Sequence, residues 1–184
     1  KNFLSTGNIP IEVELNKTAT TLIVGSNGSG KSTLLDALCY ALFNKPFRII
    51  KKDQMVNTIN NADTLVEVEF EVGTNQFMIR RGIKPNLFEI YQNDKLINQD
   101  ASSIDYQKYL EQNIMKLNYR SFIQVVILGS SAYEPFMKMK PRYRREVVEE
   151  ILDIRVFGLM DLLLRSQQSD LQKKLTEVRH QAEL

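Results

Sequence analysis

A chain of 184 residues, 43% of them hydrophobic, can bury one core of ordinary size, as one domain or one domain with an extension. Its 24 basic and 22 acidic residues give a net charge of +2, which neither points to nor excludes a polyanionic partner. There is no run with the apolar length of a membrane span and no secretory plan at the start. The single cysteine, Cys39, lies in an apolar run and reads as a packed, reduced core residue. The expectation is a cytoplasmic protein with no membrane partner.

From Ile11 to Leu15 apolar and acidic residues alternate, which predicts a strand with one wet face. Thr20 to Val24 is a β-branched and apolar run ending in Gly25, the composition of a strand buried on both faces. Leu34, Leu35, Leu38, Ala41 and Leu42 then recur at helical spacing, and Asn44 and Pro46 close the segment. The predicted order is strand, glycine loop, helix.

After a basic stretch, the segments Thr64 to Val72, Gln76 to Ile83 and Leu87 to Tyr91 read as strands. Gly73-Thr74-Asn75 and Lys84-Pro85-Asn86 reverse the chain between them, which predicts an antiparallel meander. On its first strand Glu67, Glu69 and Glu71 alternate with Val66, Val68 and Phe70 and read as solvated residues rather than metal ligands. Ser103 to Leu117 carries a broad apolar stripe and predicts an amphipathic helix with Ser102 or Ser103 as its cap. Phe122 to Leu128 reads as a buried strand.

From Arg142 to Leu184 the pattern is helical, interrupted only by Gly158, with Pro141 suited to its first turn. Leu164, Leu171 and Val178, interleaved with Gln168, Leu175 and Ala182, form a short heptad seam that reads as the start of a coiled coil. The domain reading is an N-terminal lobe over residues 1–140 and a helical root and start of a coiled-coil arm over 141–184.

The spacing Gly25, four residues, Gly30-Lys31-Ser32 is that of a phosphate-binding loop, and each residue type has a job. Gly25, Asn27, Gly28, Ser29 and Gly30 form the curl, and the N–H groups from Gly28 to Lys31 converge on β-phosphate oxygens. The positive end of the helix adds to them. Lys31 bridges β- and γ-phosphates, Ser32 offers its hydroxyl to Mg²⁺, and Thr33 reaches the α-phosphate. The expected ligand is ATP with Mg²⁺. Hydrolysis also needs a second carboxylate near the metal and a residue that positions water, and Phe122 to Leu128 ends in Gly129-Ser130 with no Asp or Glu.

Asn2-Phe3-Leu4-Ser5, the loop through Thr33, the run Phe43 to Arg48 with Lys51-Lys52-Asp53, and Phe122 to Met137 followed by Arg144-Arg145 and Ile151-Leu152 carry a resemblance. Together they resemble the N-terminal half of the SMC-like repair ATPases, in particular their T-even-like bacteriophage members. The resemblance implies an α/β fold: an ABC-type P-loop lobe with an antiparallel β meander and an emerging coiled-coil helix. It implies an ATPase head completed by a C-terminal segment of the same protein, which would bring the acidic Mg²⁺ strand, catalytic glutamate, signature motif and switch histidine. His180 does not match that histidine.

The implied partners are a second head, a nuclease subunit and double-stranded DNA bound without regard to sequence. Relatives place a glutamine after the strand that follows the meander, where it contacts Mg²⁺ and water. Here Ser130 aligns with it and Gln124 lies six residues earlier, so both stay as candidates. DNA candidates are Lys45, Arg48, Lys51, Lys52, Arg80, Arg81, Lys84, Lys138, Lys140, Arg142, Arg144 and Arg145. Two other readings remain open: a self-contained P-loop NTPase or kinase, and a nucleotide-stabilised interaction module without turnover.

Overall fold

The computed structural model describes residues 1–97, 103–127 and 134–182. They divide into two compact units, Lys1–Glu134 and Pro135–Leu184. The first contains helix α1 (Lys31–Phe43), strands β1 (Thr64–Val72), β2 (Asn75–Ile83), β3 (Leu87–Gln92) and β4 (Lys95–Leu96), and helices α2 (Ser103–Tyr109) and α3 (Tyr119–Val125).

The four strands form one antiparallel sheet in the order β1-β2-β3-β4. Gly73, at φ 63°, turns β1 into β2, and Asn93 and Asp94, at φ 49° and 62°, turn β3 into β4 as a two-residue hairpin requires. The register Val68↔Ile79↔Ile90 and Phe70↔Phe77 puts the apolar side chains on one face, leaving Glu67, Glu69 and Glu71 exposed as expected.

The apolar face closes over α1 and α2. Cys39, Leu42 and Phe43 of α1 share a core with Phe77, Ile79 and Ile90 of the sheet and Tyr106 of α2. Leu110 and Ile114, on the wider helical turn Leu110–Met115 that continues α2, belong to the same cluster. A second cluster joins Phe3, Tyr40, Ala41, Met55, Val56, Val66 and Ile83. Burial, with a smaller push from Asp36, raises the Cys39 thiol to about 12, so it stays protonated at neutral pH.

Arg81 of β2 lies among these apolar neighbours, only 4% exposed. Its Nε donates to the Ala41 carbonyl at 2.9 Å, one terminal nitrogen donates to Gln107 Oε1 at 2.6 Å, and the guanidinium lies 3.7 Å from the Phe88 ring centre. Gln107 Nε2 in turn donates to Leu42 O at 3.0 Å. The last turn of α1 has no basic residue of its own, so a cation from the sheet supplies the complement to the negative end of the helix. Burial pushes this guanidinium down to about 10, which leaves it charged under ordinary conditions.

Three sequence expectations are corrected. Residues 11–15 and 20–24 form no strand, and Leu22 and Val24 are 83% and 78% exposed. No strand among the described residues pairs with them, and an unpaired strand cannot satisfy its backbone groups. Phe122 to Val125 belongs to α3: the Asn118 side chain accepts from Ser121 N–H at 2.9 Å, a helix cap that outweighs the β-branched composition of the run. In the second unit the helical pattern breaks at Leu152–Ile154, where Asp153 takes φ 51°, while Gly158 lies inside the second helix. That unit comprises α4 (Pro141–Ile151), with proline at its first position, and α5 (Arg155–Ala182), along which Leu164, Leu171, Leu175 and Val178 are exposed. The cap expected at Ser102 lies outside the described residues.

Two outcomes follow. Arg81→Ala removes both hydrogen bonds and the complement to the helix end, so unfolding free energy should fall by about 3 kcal/mol, read from the urea midpoint. Cys39 should resist iodoacetamide at pH 8 in the folded protein and react once urea unfolds it.

Candidate nucleotide site

The segment Gly25 to Ser32 leads directly into α1 with Gly30 as its N-cap. Gly28 and Gly30 take φ 86° and 94°, which side chains strongly disfavour. Gly25 is required by close approach: a Cβ there would stand 2.5 Å from Ser29 Oγ. The loop is closed by Ser29 N–H to Ser26 O at 3.2 Å and by Lys31, whose ammonium donates to Gly25 O at 2.6 Å and Ser26 O at 2.8 Å. Thus Lys31 curls back over the loop instead of running along the helix. The first turn of α1 contains no acidic residue and no side-chain cap, and of its N–H groups that of Thr33 donates to Gly30 O at 3.0 Å.

Thr33, which the sequence places at the α-phosphate, is only 7% exposed, and its hydroxyl lies 3.3 Å from that of Ser5. Ser32 is exposed. Asp36, fully buried on the same helix, accepts from Arg48 N–H at 2.9 Å and Arg48 Nε at 2.7 Å. This pair fixes the segment after α1 to the middle of the helix. A lone carboxylate between Leu35 and Cys39 in an apolar helix is the signal that would have announced a buried partner, and sequence reasoning passed over it.

Gln124 sits on α3, where its Nε2 donates to Glu134 O at 2.8 Å, so its partner is the chain ahead and not the phosphate loop. Its expected place inside a strand is therefore wrong. Ser130 lies outside the described residues. The basic candidates separate in the same way. Arg81 is buried, Arg80 is held by Glu67 at 2.6 Å and Glu89 at 3.1 Å, and Arg48 is held by Asp36, so none of these three is a free surface cation. Lys84 donates to Asn61 Oδ1 and Lys45 lies 5.7 Å from the Tyr119 ring centre. Lys51 and Lys52 in the first unit, and Lys138, Lys140, Arg142 and Arg145 in the second, are exposed. No group of three acidic, histidine or cysteine residues suited to a metal occurs among the described residues. No described helix is long and apolar enough to cross a membrane.

A glycine loop opening a helix that packs under an antiparallel sheet defines the N-terminal lobe of an ABC-type P-loop NTPase. The family model described as AAA domain matches residues 1–183, and the chain belongs to that family. It is 44% identical over 163 residues to exonuclease subunit 2 of Enterobacteria phage T4, covering 89% of this chain and 29% of that protein. Its identity to exonuclease subunit 2 of Escherichia phage RB69 is 42% over 171 residues, covering 93% and 30%. A DNA double-strand break repair Rad50 ATPase of Thermoplasma volcanium is 28% identical over 184 residues, covering 96% and 20%. These relatives bear out the resemblance to SMC-like repair ATPases. The chain spans less than a third of the length of each.

The geometry makes one backbone claim open to test. Gly30→Ala places a side chain at φ 94° and should lower stability by about 1–2 kcal/mol, and Gly25→Ala should additionally displace Ser29. Urea unfolding of both variants, with unchanged slope, is the measurement.

Proposed function

We propose that this chain is the N-terminal half of an ATP-hydrolysing head that binds ATP with Mg²⁺ and controls a nuclease acting on DNA ends in recombination and double-strand-break repair. The observation that carries the reading is the loop Gly25 to Ser32, curled by two glycines at positive φ into the N-terminus of α1, with the Lys31 ammonium drawn over it. These donors suit a polyphosphate. Gly28, Ser29, Gly30 and Lys31 would offer backbone N–H groups, with Asn27 completing the curl, and Lys31 would exchange loop carbonyls for β- and γ-phosphate oxygens.

The fit to Mg²⁺ is partial in an informative way. Ser32 offers one hydroxyl, and no acidic cluster stands by among the described residues. Ser32 would hold the metal here, the metal when bound would neutralise phosphate charge, and the proposal assigns its remaining protein ligands to another segment. The proposal therefore places turnover in the complete protein, with the C-terminal segment of the same protein and a second head as partners. Gln124 and Ser130 remain the residues proposed for the water- and metal-contacting role, with Gln124 required to leave Glu134.

Double-stranded DNA is the proposed polyanionic partner of the exposed Lys51 and Lys52 and, separately, of Lys138, Lys140, Arg142 and Arg145. Phosphate contacts of this kind carry no base readout. The exposed heptad positions of α5 suit a coiled-coil arm. The proposed location is the cytoplasm, of the host where a phage encodes the chain.

The test is ATP binding and steady-state hydrolysis by the chain alone and mixed with its C-terminal half. Binding by the chain alone, weakened about a hundredfold by Lys31→Ala, and turnover only in the mixture are expected. Lys31-dependent turnover by the chain alone would replace this reading with a self-contained NTPase. Tight binding with no turnover in the mixture, and no effect on a nuclease, would replace it with an interaction module.

A further inference from the structure

Ser5 has no place in the phosphate-loop motif, yet the fold delivers it there with unusual care. The turn that carries it is anchored by Phe3, which is 1% exposed and stacks on Tyr40 of α1 at 5.5 Å between ring centres. Leu4 N–H donates to Met55 O at 2.7 Å, and Phe3 N–H donates to Thr6 Oγ1 at 2.8 Å. Asn57, itself 6% exposed, then donates through its side-chain amide to Leu4 O at 3.2 Å and Thr6 O at 2.9 Å. One buried amide thus pins the backbone on both sides of a single exposed serine. That serine stands 3.3 Å, hydroxyl to hydroxyl, from Thr33, and its Oγ would lie 3.5 Å from a Cβ built on Gly30. Two separate positions of the loop and helix therefore locate it at the mouth of the site.

We propose that Ser5 is a nucleotide-binding residue, presenting its hydroxyl to the α-phosphate and ribose end of the ligand while the covered Thr33 hydroxyl backs it. The inference rests on the nucleotide reading above and extends it to a residue outside the motif. Of the two paired hydroxyl residues Thr33 is only 7% exposed, whereas Ser5 is exposed to solvent. A hydroxyl held rigidly at this edge adds a hydrogen bond to a charged oxygen without the entropy of ordering a free side chain.

The experiment is calorimetric titration of the whole chain with Mg-ATP and with pyrophosphate, for the parent, Ser5→Ala, Ser5→Thr and Lys31→Ala. Ser5→Ala should bind ATP about tenfold more weakly, with pyrophosphate affinity and ligand-free melting temperature unchanged, and Ser5→Thr should stay within about twofold of the parent. Parental ATP affinity in Ser5→Ala would overturn the inference and leave the nucleotide reading standing. An equal loss for ATP and pyrophosphate would also overturn it, by placing the effect on the loop. If pyrophosphate does not bind, the ATP comparison decides alone. ATP binding that survives Lys31→Ala would overturn the nucleotide reading and this inference together.

Discussion

A helix that begins with neither a side-chain cap nor an acidic residue is not anchored at that end, and the first unit is arranged around this constraint. Most helices bring an acidic residue or a polar cap to their N-terminus; α1 has Gly30 there and no acid in its first turn. The stabilisation forgone at that end has to come from elsewhere. It comes from the opposite end and the middle: Asn44 closes the helix in the left-handed region with its N–H on Tyr40 O, and Arg81 and Gln107 take the Ala41 and Leu42 carbonyls. Asp36 ties the helix to Arg48. Phe3, Cys39, Leu42 and Phe43 supply the apolar contact.

The choice of a guanidinium for the far end has a physical logic. A neutral donor could satisfy Ala41 O, but only a cation also opposes the partial negative charge accumulated at the last turn. Burial resists that charge, which is why the group titrates below its usual range. The planar head compensates by lying on the Phe88 ring and by splitting its donors between a carbonyl and the Gln107 amide. The sheet is thus an electrostatic support of α1 as well as an apolar cover. Its other face carries the ordinary surface pairs Arg80–Glu67 and Arg80–Glu89.

Much of this was legible in the residues, and the boundary of legibility is itself physical. The meander was readable because its turns carry their own chemistry, Gly73 and Asn93-Asp94, and its faces alternate. Helix α1 was readable from spacing and from Asn44. The glycine loop ahead of α1 was readable as a tight curl because Gly28 and Gly30 are the residues that take φ 86° and 94° most easily. Phe122 to Leu128 misled because β-branched composition speaks only for the preference of the segment, whereas Asn118, four residues before Phe122, had already offered a cap to a helix. The pairing of Asp36 with Arg48 and of Ser5 with Thr33 was not readable, since sequence alone does not bring residue 5 to residue 33. Arg81 read as a surface cation because strand alternation was applied to Arg80 and Arg81 as a charge cluster rather than as two opposite faces.

The remaining misfit concerns residues 11–24. Their pattern demands burial, and Leu22, Ile23 and Val24 are instead exposed beside the loop they lead into. A strand buried on both faces needs a neighbour on each edge, and the sheet of this unit is completed by β1 to β4 without it. Apolar alternation records the surface a segment evolved to meet, whichever stretch of chain supplies that surface. The exposed run before Gly25 is thus a segment whose composition and whose surroundings in this unit disagree, and composition alone could not have told which would prevail.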